Sequence, residues 1–395
     1  MRKIEMQKDK GICEGFFGEL FGNVGFFNDA YILPNKPIKL LIGYEAKELD
    51  VYLDEEGIKY LIDMFRHFTF GENAEKEEYK RIEDFAVRIP EYNFRVHLLK
   101  VGASRDYNAF ILRRQFHYIP KPEQLKIPAP VVQTFISEVE KGNGGLILLV
   151  GKQRQGKSTT AASLLDEVNE KETDKVIVTV ENPIEYILEP KKSVVIQKDV
   201  ITYADEKVSS TEELIEKASR NALISAAREF PSVVLIGEIR TKFEVDMAVS
   251  LAESGVLVVG SFHGESVPKA LVRFLNMATA GASSESERKL RRLQVVSMIR
   301  ATVGQKLLPN RDNREKLELV TEYLIHNPSI LEVKTLMNLL IQDKPFDFFL
   351  NFGRKKSQYV VSLPNALSEA VAEGRISKED ANAANPYAVS SVYAT

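Results

Sequence analysis

Apolar and polar positions change rhythm three times along the chain. Between Asp29 and about Tyr118, short runs of β type, KLLIGY (39–44), LDVYL (49–53), FRVHLL (94–99) and AFILRR (109–114), surround one stretch, GIKYLIDMFRHF (57–68), with apolar residues at helical spacing. This predicts a small α+β domain over residues 29–118. IPKPEQLKIPAP (119–130) then places four prolines in twelve residues, which excludes continuous helix or central strand and stiffens the backbone, so it predicts an interdomain hinge. Beyond it, GLILLV (145–150), VIVTV (176–180), SVVLIG (232–237) and LVVGSF (257–262) are almost wholly apolar without alternation, as parallel strands covered on both faces are. Helical stretches such as STTAASLLDEVNEK (158–171) and TEELIEKASRNALISAAREF (211–230) lie between them, which predicts a doubly wound α/β domain over 131–324. After Leu324 the buried-strand pattern stops, and 325–395 reads as a small helical region in which Gly374 ends one helix and Ser377 starts the next.

Composition narrows the function class. The 53 Lys and Arg nearly cancel the 56 Asp and Glu, so no global field exists for gripping nucleic acid or an anionic bilayer. Cys13 is the only cysteine, which excludes an internal disulfide and any metal site needing two thiolates and fits a reducing cytosol. No apolar run reaches the ~18–20 residues of a membrane span. GICEGFFGELFGNVGFF (11–27) is interrupted by Glu14 and Glu19 and rich in glycine, so within the extension 1–28 it reads as a packed strand or loop rather than a membrane-touching segment.

Four strand ends carry the chemistry. Gly151-Lys152-Gln153-Arg154-Gln155-Gly156-Lys157-Ser158, a G-x-x-x-x-G-K-S sequence, follows LILLV directly and opens a helical run. Glycines at both ends let the loop wrap so that successive backbone N–H groups face phosphate oxygens. Lys157 would supply charge at the β- and γ-phosphates, Ser158 a hydroxyl to Mg²⁺, and the helix its N-terminal dipole, with Thr159 completing the candidate cradle. Glu238, at the end of SVVLIGEIR, is a candidate for holding Mg²⁺ or its waters. Glu181 and Glu185 in Val-Glu-Asn-Pro-Ile-Glu (180–185) could orient or deprotonate an attacking water. His263 in Gly-Ser-Phe-His-Gly (260–264) could sense the γ-phosphate.

In this order and spacing the four elements resemble the PilT/GspE superfamily of secretion and type IV pilus motor ATPases, whose hallmarks are a Walker A loop, an aspartate box, a Walker B ending in Gly-Glu and a histidine box. The aspartate box appears as residues 180–185, the Walker B as Leu-Ile-Gly-Glu-Ile-Arg (235–240), and the histidine box runs from Ala252-Glu-Ser-Gly255 to His263. The likeness covers roughly residues 29–386, and the lone cysteine favours the PilT-like side over relatives with a four-cysteine metal subdomain. It implies a RecA-like P-loop NTPase core, a PAS-like N-terminal domain and a C-terminal helical appendage. It also implies a cytoplasmic homohexamer, peripheral to an inner-membrane platform, hydrolysing ATP with Mg²⁺ at the cleft between domains. Arg95 of FRVH and Arg113 of FILRR, with Arg105 a third, match the arginines that the family's N-terminal domain brings to the phosphates.

The sequence departs from the pattern at Asn182, where the family has aspartate, at Val256, where it usually has a first histidine, and at Gly264, where threonine is common. Glu181 and Glu185 must therefore carry any acid role. With these departures, a divergent relative serving a secretion or conjugation machine, such as the type IVB systems, is at least as well supported as pilus retraction itself. An ATP-gated assembly switch with little turnover is the alternative. A nucleic-acid translocase would draw on Arg288-Lys-Leu-Arg-Arg292, but basic residues among acidic neighbours read first as a solvated helix face.

Overall fold

The computed structural model describes residues 2–4, 17–18, 27–75, 83–89, 92–104, 106–115, 118–203, 211–353 and 357–385. The segment 11–27 lies mostly outside these residues, but its Phe17 and Phe27 are fully buried, Phe17 with its ring 5.0 Å from that of Phe94.

The first domain is an antiparallel sheet of β1 (Asp29–Ile32), β2 (Lys39–Ile42), β3 (Glu45–Glu48), β4 (Asp84–Ile89), β5 (Tyr92–Leu99) and β6 (Ala109–Gln115), in the order β3-β2-β1-β6-β5-β4. One face is covered by α1 (Glu55–Phe70), capped by the Asp54 carboxylate accepting from the Gly57 N–H and burying Ile58, Leu61, Ile62 and Phe65 at helical spacing. The residues of β5 and β6 alternate as period-2 strands must. Phe94, Val96 and Leu98 enter the core, while Asn93, Arg95 and His97 face the other way. That second face looks toward the rest of the molecule.

After the proline stretch, α2 (Ala129–Lys141) leads into β7 (Gly145–Val150), followed by α3 (Lys157–Lys171), β8 (Val176–Glu181), β9 (Val194–Asp199), α4 (Thr211–Ala227), β10 (Val233–Ile239), α5 (Lys242–Glu253), β11 (Leu257–Phe262), α6 (Val267–Thr279) and α7 (Glu285–Met298). Leu146 to Val150 are each at most 1% exposed, and at ~1.5–3 kcal/mol per buried aliphatic side chain this strand is firmly seated in the sheet. Helices α2 and α3 cover one face and α4 to α7 the other, with Leu164, Leu165 and Val168 on one side and Phe262, Leu271 and Phe274 on the other.

The sheet is mixed rather than wholly parallel. Its order is β9-β8-β10-β11-β7-β12-β13-β14, where β12 (Ile299–Pro309), β13 (Leu317–Ile325) and β14 (Val360–Val361) complete it. Along this order the strands from β9 through β12 run parallel, β13 runs antiparallel to β12, and β14, antiparallel to β13, points the same way as the first six. The two residues of β14 carry no periodicity of their own, which is why no strand is legible beyond Leu324. The C-terminal region is nonetheless built into the core: Val333, Leu336, Met337 and Leu340 of α8 (Leu331–Ile341) and Phe348 of α9 (Pro345–Asn351) pack in the same cluster as β7, β8 and β10. Helices α10 (Leu363–Ala372) and α11 (Lys378–Ala384) follow, with Gly374 left-handed at φ +72° between them and Ser377 accepting from the Asp380 N–H as N-cap.

The turn between β12 and β13 joins three parts of the chain. Its Arg314 carbonyl accepts from the Tyr44 N–H at 3.2 Å, and its guanidinium lies 3.5 Å from Glu45 and 3.2 Å from Asp380 of α11. Tyr44 also donates its hydroxyl to the Leu307 carbonyl at 3.0 Å. Gly43 is required here, since a Cβ would lie 2.4 Å from the Arg314 carbonyl oxygen.

Candidate active site

The loop from Gly151 to Gly156 leaves the buried end of β7 and enters α3. Gly156 takes φ +78°, and a Cβ on Gly151 would press within 3.1 Å of the Gln305 carbonyl oxygen. No side chain caps α3, so its first N–H groups and its dipole are directed at the loop's concavity. The Lys157 ammonium lies across that concavity, donating to the carbonyls of Gly151 and Lys152, both at 2.8 Å. Burial pulls its pKa down, opposed by the charges of Glu238 and Glu185. Two neighbouring side chains fix the loop and the helix it enters: Gln155 of the loop accepts from the Leu307 N–H at 2.6 Å, and the hydroxyl of Thr159, in the first turn of α3, meets the Tyr186 hydroxyl at 2.9 Å. Burial, first of all, pushes the Tyr186 phenol up to about 12. Lys152 pairs with Glu265 at 3.5 Å on the surface, where Gln153 is also exposed.

Facing the loop are the ends of β8 and β10. A register shift between Ile236 and Ile239 takes Gly237 and Glu238 out of the ladder with β11. Gly237 sits so close to β8 that a Cβ would lie 3.1 Å from the Glu181 Cα. Glu238 is held by Arg240 at 2.5 Å. Glu181, paired in register with Asp199, keeps some accessible surface but is deep enough that burial drives its carboxyl up to about 7, with Glu185 and Asp199 adding to the rise and bonds to Thr179 and Gln197 opposing it. His263 lies exposed past the end of β11, its carbonyl accepting from Arg273 at 3.2 Å.

The polar face of the first domain grips the turn that carries Glu185. From the β4–β5 hairpin, Arg88 donates to the Ile184 carbonyl, Asn93 to the Glu185 carbonyl at 2.9 Å, and Arg95 to the Glu185 carboxylate at 3.1 Å. Asp84 steadies Arg95 at 3.4 Å and also meets His97 at 3.1 Å. Arg113 binds Asp29 at 3.0 Å, and Asp29 in turn lies 3.4 Å from Arg154 of the loop. Thus the fold brings Lys157, Glu185, Glu238 and Arg95 into one neighbourhood and Arg113 to the loop's outer edge, while Arg105 lies outside the described residues.

Arg88, Asn93, Asp29 and Tyr186 were not singled out from the sequence. The first two had a signal: Asn93 shares the outward face with Arg95, and Arg88 stands opposite Asn93 across the hairpin. A magnesium-bound nucleotide fits this donor set. The glycines leave backbone where a Cβ would intrude, the lysine is already inside the loop, and Ser158 in the first turn of α3 and Glu238 across from it offer the hard oxygen ligands Mg²⁺ prefers.

Comparison with known proteins bears on the family and the fold. Residues 85–337 match the family model of the type II/IV secretion system protein. The chain is 26% identical over 299 residues to the twitching motility protein of Neisseria gonorrhoeae, covering 75% of this chain and 71% of that one. Among solved structures, the pilus retraction motor PilT with bound ADP superposes with a TM-score of 0.68 at 25% identity, covering 91% of this chain and 93% of that chain. The Legionella pneumophila ATPase DotB shares the fold at 20% identity, with a TM-score of 0.65 over 90% of this chain and 91% of that chain.

Proposed function

Because the chain belongs to the type II/IV secretion system protein family, with PilT-like ATPases among its relatives, we propose that it is a Mg²⁺-dependent ATP-hydrolysing motor. It works as a homohexamer on the cytoplasmic side of an inner-membrane secretion, conjugation or type IV pilus machine. No helix among the described residues is long and apolar enough to cross a membrane, so the proposed attachment is peripheral. The observation that carries the reading is the glycine loop holding Lys157 opposite two carboxylate-bearing strand ends, with the turn after one of them gripped at Glu185 by Arg95 of the other domain.

In this reading Lys157 exchanges its two carbonyl partners for the β- and γ-phosphate oxygens of ATP, and the N–H groups of the loop and of α3 donate to the remaining phosphate oxygens. When bound, Mg²⁺ would be held by Ser158 and, directly or through water, by Glu238, and would neutralise charge between those phosphates. Glu181 and Glu185 orient the attacking water; its oxygen bonds to the γ-phosphorus, the bond from that phosphorus to the bridging oxygen breaks, and the water's proton passes to a carboxylate. Glu181, titrating near neutrality, is suited to take and return that proton. Arg95, already on Glu185, and Arg113, beside the loop, carry the N-terminal domain's movement into the site.

Steady-state phosphate release with Mg²⁺ tests the motor: turnover should be measurable in the wild type and abolished by Lys157→Ala and by Glu238→Gln. The second reading, an ATP-gated assembly switch, is favoured by Asn182 in place of the family's aspartate. ATP binding without phosphate release, even with partner components present, would select it.

A further inference from the structure

Asp29 opens β1 and is 2% exposed. Its cross-strand neighbour on β6 is Arg113, whose Nε lies 3.0 Å from Asp29 Oδ1. That pair alone would neutralise the carboxylate. Yet a second guanidinium reaches the same oxygen: Arg154 Nη2, from the crown of the Gly151–Gly156 loop, lies 3.4 Å from Oδ1. Both terminal nitrogens of Arg154 also donate to the Tyr31 hydroxyl, at 3.3 and 3.4 Å. Tyr31 is two residues along the strand from Asp29 and so presents its side chain on the same face.

Arg154 is an unexpected residue to find there. Its φ of +64° lies in the left-handed region, where glycine is at ease and a side chain is strained. What the side chain reaches explains its presence: it connects the loop to the N-terminal domain. Lys152, the other cation of the crown, pairs with the exposed Glu265 of its own domain.

We propose that Asp29 is a positioning residue that ties the crown of the nucleotide loop, through Arg154, and the arginine of β6, Arg113, to a single buried carboxylate. Movement of the N-terminal domain then shifts both cations together, and the loop's shape depends on where that domain stands. This extends the ATPase reading above, which makes the loop a nucleotide site.

The test uses the full chain and two readouts. Hydrogen exchange of the loop's amides, measured without nucleotide, should rise about fivefold in Asp29→Asn, and less in Tyr31→Phe, because the crown is released. In an Arg154→Gly background neither substitution should alter loop exchange further, since the tether is already absent. In phosphate release, Asp29→Asn should lower kcat about tenfold with KM within about twofold, and Asp29→Glu should recover part of the loss. Should Asp29→Asn fail to fold, Tyr31→Phe, which removes one hydroxyl, completes the same exchange cycle with Arg154→Gly. Unchanged loop exchange, or an effect equally large in the Arg154→Gly background, overturns the proposal. A wild type that releases no phosphate would instead count against the motor reading, and the exchange cycle, read without nucleotide, would still decide the tether.

Discussion

Two residues, one half-buried and one fully buried, show how local surroundings set charge. Lys157 keeps its ammonium among backbone carbonyls and against the charges of Glu238 and Glu185. Lys157→Ala should therefore weaken ATP binding about 10- to 100-fold, or ~1.4–2.8 kcal/mol, in a titration with labelled nucleotide. Glu322 is 2% exposed on β13 and accepts from the Val267 N–H at 2.7 Å, which fixes the start of α6 just beyond the His263 loop. Burial raises its carboxyl from 4.5 to about 7, with the Val267 bond and Lys306 opposing. The folded protein thus binds this proton more tightly than the unfolded chain. The resulting stability is complete below about pH 4.5 and is lost as the pH rises through 7. Glu322→Gln should remove that dependence: between pH 5 and 8 the wild type should lose up to about 3 kcal/mol relative to the variant, measured by urea midpoints at each pH.

At the scale of elements, the β4–β5 hairpin acts as a clamp on the Glu181–Glu185 turn. Arg88→Gln removes the donor to the Ile184 carbonyl and a positive charge facing Asp199 and Glu181. Turnover should fall about tenfold with KM nearly unchanged, because the turn's placement and not nucleotide affinity is disturbed. The strands supporting this chemistry were legible in advance wherever burial wrote a long pattern: the apolar runs of β7, β8, β10 and β11 and the capped helix starting after Ser377 all follow from spacing and propensity. The clamp was legible only in part. Arg95 was readable from a motif, but Arg88 and Asn93 act through a register that appears once β4 and β5 pair. Asp29 escaped notice for a similar reason, since its partners lie 84 and 125 positions away in sequence and only the fold brings them together. The edge strand β14 is too short to announce itself, and its pairing depends on β13.

For the molecule as a whole, the first domain meets the second at two places around the nucleotide loop, Arg95 on Glu185 of the turn facing it and Asp29 on Arg154 of the loop itself. A third tie lies away from the chemistry, at Arg314. Arg314→Ala should loosen this tie by removing its ion pairs to Glu45 and Asp380, the Tyr44 bonds and the Lys157 loop staying intact, seen as a larger radius of gyration in small-angle X-ray scattering of the protein without nucleotide. Because that same arginine also holds α11, opposite ends of the polypeptide share a mechanical junction. A load applied to α11 would be transmitted to the first domain along a route that bypasses the phosphates, so that whatever seizes this helix gains leverage over that domain.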